Sequence, residues 1–71
     1  SDNLLHWRKT PSGYVCWIYD SAIPNIEITQ WLHTNTTGYY ACKCYEQGGD
    51  PVLEVLIEKE TDALMFKLHF K

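Results

Sequence analysis

The chain has 71 residues, 45% of them hydrophobic and 14% aromatic, so it holds one domain with a small, ring-rich core and is too apolar to be disordered. Nine acidic residues against six basic ones, of which Arg8 and Lys9 stand together and the others are scattered, for a formal charge of −3, argue against phosphate-driven nucleic-acid binding. No apolar run approaches the ~20 residues of a membrane-spanning helix, and three cysteines cannot form a complete disulfide set within one chain, which points to a reducing compartment.

Residues 1–13 read as a loose N-terminal arm ahead of a single α+β domain over 14–71. Leu4, Leu5 and Trp7 are its apolar residues, and Thr10-Pro11-Ser12-Gly13 reads as a turn. Residues 14–19, YVCWIY, are strand formers, and Asp20 and Ser21 end the run. A helix follows. Pro24 suits its first turn, and Pro24, Ile28, Trp31 and Leu32 recur on one helical face. Asn35-Thr36-Thr37-Gly38 stops it. Asn35-Thr36-Thr37 also matches a glycosylation acceptor, read here as a helix-ending turn.

Residues 39–45 and 52–58 form two more strands, joined by a turn at Gln47-Gly48-Gly49-Asp50-Pro51 into an antiparallel hairpin. The tail carries two signals. Thr61, Asp62 and the Ala-Leu-Met run favour a helix over about 61–69, while the alternation of 66–71 favours a strand; the helix start signal decides for the helix. The expected fold is therefore βαββα: a ferredoxin-like arrangement lacking its last strand. Its three-stranded sheet has order 1-3-2, the first and third strands are parallel neighbours, and both helices lie on one face.

Alternation along strands then sorts the side chains. Cys16, Ile18, Tyr40, Cys42, Cys44, Leu53, Val55 and Ile57 fall under the helices, where a free cysteine acts as a small hydrophobe. A zinc site through Cys16, Cys42 and Cys44 is the sharper alternative, but Cys-x-Cys lacks the two to four intervening residues of zinc pairs, and a histidine would have to complete it. A Cys42–Cys44 disulfide would be strained, because alternate strand residues lie ~6.5 Å apart. No cofactor is implied.

The opposite face would carry Val15, Trp17, Tyr19, Tyr39, Lys43, Tyr45, Val52, Glu54, Leu56 and Glu58. So aromatic a face calls for a cover: the arm, a second copy of the chain, or another protein. Trp17, Tyr19, Tyr39, Lys43 and Tyr45 are the candidate partner-binding residues. Single-stranded nucleic acid stacking on the same rings is the alternative, opposed by Glu54 and Glu58. The carboxylates and histidines are dispersed, with no phosphate loop and no nucleophile beside a base, so no catalytic residue is assigned and the chain reads as a non-enzyme.

The ending IEKETDALMFKLHFK resembles that of small uncharacterised proteins of tailed bacteriophages, in which an acidic stretch leads into Asp-Ala-x-x-Phe-Lys-Leu followed by Arg and an aromatic. Trp17-Ile18-Tyr19 and Trp31-Leu32 look similar too, and His69 stands where those proteins often have arginine. The resemblance implies packing roles for Ala63, Phe66 and Leu68 and a capping-turn role for the Asp62 carboxylate. It also implies a phage protein in the bacterial host cytoplasm that binds and inhibits, or adapts, a host protein, with no membrane partner.

Overall fold

The computed structural model describes residues 6–70. Its elements are β1 (His6–Thr10), β2 (Gly13–Tyr19), α1 (Asn25–Asn35), β3 (Tyr40–Gln47), β4 (Asp50–Ile57) and α2 (Glu60–His69). The four strands form one sheet of order β1-β2-β4-β3, and every neighbouring pair is antiparallel. No helix among the described residues is long and apolar enough to cross a membrane.

This overturns the three-stranded sheet. The extra strand is β1, drawn from the segment expected to be a loose arm. HWRKT is short and carries two adjacent cations, which weakens its strand signal, yet an edge strand tolerates and even favours charge. Pairing begins at Thr10↔Gly13, across the two-residue turn at Pro11 and Ser12. The turn is held by the Thr10 side chain: Oγ1 donates to the Gly13 carbonyl at 2.9 Å and accepts from Ser12 N at 3.2 Å. Gly13 is required there, since a Cβ would come within 2.6 Å of the Ile57 carbonyl oxygen.

The expected parallel pairing is also corrected. Helix α1 returns the chain so that β3 runs in the same direction as β2. The β3–β4 hairpin then reverses direction and inserts β4 between them. Whatever lies between two co-directional strands as the second arm of such a hairpin is antiparallel to both. Gly48 (φ 59°) and Gly49 (φ 89°) make the tight turn, both in the left-handed region that a two-residue hairpin of this kind needs.

Both helices cover one side of the sheet. Cys16, Ile18, Leu53, Val55 and Ile57 meet Ile28 and Leu32 from α1 and Ala63, Phe66 and Phe70 from the α2 end. Phe66 is the hub of the aromatic packing. Trp7 and Trp31 stand edge-on to it with ring centroids at 5.7 and 5.6 Å, and Phe70 lies at 4.8 Å. Trp7 therefore points into the helix side and does not cover the opposite face; Leu4 and Leu5 lie outside the described residues.

Asp62 is buried and clasps the segment between α1 and β3. Its carboxylate accepts from Thr37 N at 2.9 Å, Gly38 N at 3.1 Å and Thr37 Oγ1 at 3.1 Å. It sits in the first turn of α2, where a negative charge also suits the helix dipole. The capping-turn role thus serves a turn 25 residues away, while α2 itself has no side-chain cap. Leu68 departs from its expected packing role: it is exposed.

Candidate protein-binding face

The sheet face away from the helices is built by register. Trp17, Glu54 and Lys43 lie in one row across β2, β4 and β3, and Tyr19, Val52 and Tyr45 in the next. Val15, Leu56 and Ala41 form the row on the other side. Arg8, opposite Val15 on β1, extends that row toward the sheet edge.

Glu54 organises the centre. A single carboxylate oxygen, Oε1, accepts from the Trp17 indole Nε1 at 3.2 Å and from the Tyr45 hydroxyl at 3.1 Å. Two rings from different strands are thereby fixed to one acceptor. Cations stand over both: the Arg8 guanidinium carbon lies 6.0 Å from the Trp17 ring centroid, and Lys43 Nζ lies 6.0 Å from that of Tyr45. The Tyr45 hydroxyl is held above its ordinary pKa, first by desolvation, then by donating to Glu54 and by that carboxylate's charge. Val52 is buried although it points to this side, flanked in its row by Tyr19 and Tyr45.

Among the candidate residues, Trp17, Lys43 and Tyr45 gather around Glu54, and Tyr19 joins one row away. Tyr39 does not. It precedes β3, and the six-residue separation from Tyr45 places it ~20 Å along the strand at 3.2–3.4 Å per residue. It is exposed, and its backbone N donates to Glu58 Oε1 at 2.9 Å. Arg8 escapes the sequence reading because β1 does. Strand alternation alone presents Glu54 only as a charge that repels phosphate; its place between two polar-tipped rings depends on cross-strand register. The two-residue Pro11-Ser12 turn between HWRKT and the next strand is the signal that could have found Arg8.

The cysteines lie on the helix side of the sheet but differ in exposure: Cys16 is buried, Cys42 half-buried and Cys44 exposed. Cys16 and Cys42 stand on either side of Val55 in one row, two strand spacings apart. That is ~9–10 Å, beyond the ~7 Å limit for a disulfide. Burial pushes the Cys16 thiol up to about 12; burial, then the neighbouring Cys44, pushes Cys42 up to about 11. Both are poor nucleophiles in this setting. Cys44 Sγ instead receives a hydrogen bond from Asn25 Nδ2 at 3.2 Å. No group of three or more metal-ligating side chains assembles among the described residues.

No family model, no curated protein and no solved structure matches this chain.

Proposed function

We propose that the chain is a non-enzymatic protein-binding module that captures a bacterial host protein through the open sheet face, acting as a phage-encoded inhibitor or adaptor. The observation that carries this reading is the Trp17–Glu54–Tyr45 arrangement, with Arg8 and Lys43 above the rings. Tryptophan, tyrosine and arginine are the side chains that most often anchor interfaces, and rings already fixed by hydrogen bonds lose little entropy on binding. Tyr19 adds an exposed ring beside them. The resemblance of the tail to tailed-phage proteins supplies the host context.

The test is affinity capture from bacterial lysate with wild-type protein and with W17A, each checked by circular dichroism. A host protein retained by wild type and lost from folded W17A supports the proposal; equal capture by both defeats it. The cation–ring pairs also favour a second reading, stacking of single-stranded nucleic acid. Glu54 at the centre of the same platform opposes phosphate. Titration of labelled oligonucleotides at low and high salt separates the two, since binding through phosphates weakens steeply with salt.

A further inference from the structure

Three exposed apolar side chains of α2 lie together on the far side of the molecule from the open sheet face. On α2, Asp62, Ala63 and Phe66 turn inward, followed by Phe70. The opposite side of the same helix carries Thr61, Leu64, Met65 and Leu68, spaced i, i+3, i+4, i+7, the pattern of a packing stripe. Leu64 is 51% exposed, Met65 58% and Leu68 63%. A helix that is apolar on both sides belongs between two layers, and here only one layer is present.

The charges beside the stripe say which partner fits. Glu60 and Lys67, two full helical turns apart, lie on the same flank, one at each end of the helix. When two such helices pack antiparallel about a twofold axis, a flank meets its own copy in reverse order. Glu60 then faces Lys67 of the other copy, and Lys67 faces its Glu60. The stripe meets itself at Leu64 and Met65, with Leu68 packing toward Thr61 of the other copy. Parallel packing would not bring this flank against itself. The same flank borders a shallow cleft lined by Trp7, Tyr14, Glu60, Ala63, Leu64 and Lys67, a recess for an incoming side chain. The Trp7 indole Nε1 is buried and has no hydrogen-bond partner among the described residues.

We infer that the outer face of α2 is a homodimer interface, in which two copies pack α2 against α2 in antiparallel orientation. The helices separate this surface from the sheet face, so the dimer would present two open sheet faces pointing away from each other. Two capture sites on one particle gain avidity for a partner that is itself multivalent.

Sedimentation equilibrium from micromolar to sub-millimolar protein tests this directly. The expected result is a concentration-dependent monomer–dimer equilibrium. L68E weakens it by at least about tenfold, because it places a charge in the apolar stripe, with an unchanged circular dichroism spectrum since Leu68 is exposed and outside the core. E60K and K67E each weaken it by about three- to tenfold at low salt, and mixing the two variants restores association, because only the mixed pair has opposite charges at both contacts. A monomer at every concentration overturns the inference. So does a dimer that survives L68E but is lost in W17A, or a mixture of E60K and K67E that associates no better than either alone. A monomer at every concentration, or a mixture that fails to associate, leaves capture of a host protein by the sheet face untouched, whereas a dimer lost in W17A assigns that face to self-association.

Discussion

The two sides of the sheet use aromatic residues in opposite ways. On the helix side, Trp7, Trp31, Phe66 and Phe70 pack ring against ring around a fully buried Phe66. On the open side, Trp17 and Tyr45 are tied by their polar tips to one carboxylate, and cations rather than rings cover them. The first arrangement removes apolar area from water and so holds the fold together. The second keeps rings positioned while leaving them available. Rings are therefore not equivalent markers of a core; what their N–H and O–H groups bond to separates the two uses.

Substitutions should divide along the same line. Phe66→Ala is expected to have the largest effect, destabilising by about 3–5 kcal/mol in chemical denaturation. A central ring is lost, and the rings of Trp7, Trp31 and Phe70 are left facing the cavity. A loss under about 1 kcal/mol would show that the helix side is not the stabilising side. Asp62→Ala comes next, at about 2–3 kcal/mol, since the backbone N–H groups of Thr37 and Gly38 lose a charged acceptor.

The buried thiols give the helix side a pH signature. Both Cys16 and Cys42 have raised folded-state values, so above about pH 9 the folded chain binds more protons than the unfolded one. Their stabilising contribution is complete below about pH 9 and is lost as pH rises toward 11 and 12. For Cys16 the loss by about pH 11 is on the order of 2–3 kcal/mol, from about 1.4 kcal/mol per pH unit. Denaturation curves from about pH 8 upward should show this slope in wild type and a shallower one in Cys16→Ala. Thiol alkylation in native buffer should modify Cys44 first, then Cys42, with Cys16 reacting only on unfolding.

The smallest effect on stability is expected on the open side. Glu54→Gln should cost about 1 kcal/mol or less, because its two partners are half-exposed and can turn to water. It should nevertheless lower the Tyr45 titration midpoint, followed by tyrosinate absorbance, by removing the carboxylate's charge. A stability loss as large as that of Phe66→Ala would erase the distinction between the two sides.

Local periodicity was enough to determine which residues share a face. The split between Cys16, Ile18 and Val55 on one side and Trp17, Glu54 and Tyr45 on the other follows from the strand repeat, because side-chain direction is a property of backbone geometry within a few residues. The Gly48-Gly49 turn, the stop after α1 and the helical tail are local in the same sense. What lies across from what was not local. That HWRKT pairs with β2, that β4 runs antiparallel to β2, and that one Glu54 oxygen serves both Trp17 and Tyr45 were decided by contacts between residues distant along the chain. Exposure was decided there too: Cys44 and Leu68 fit apolar patterns yet remain in water, and Val52 is buried on the face expected to be open. Burial depends on how far the neighbouring layers reach, and that extent is set only when the sheet and both helices come together.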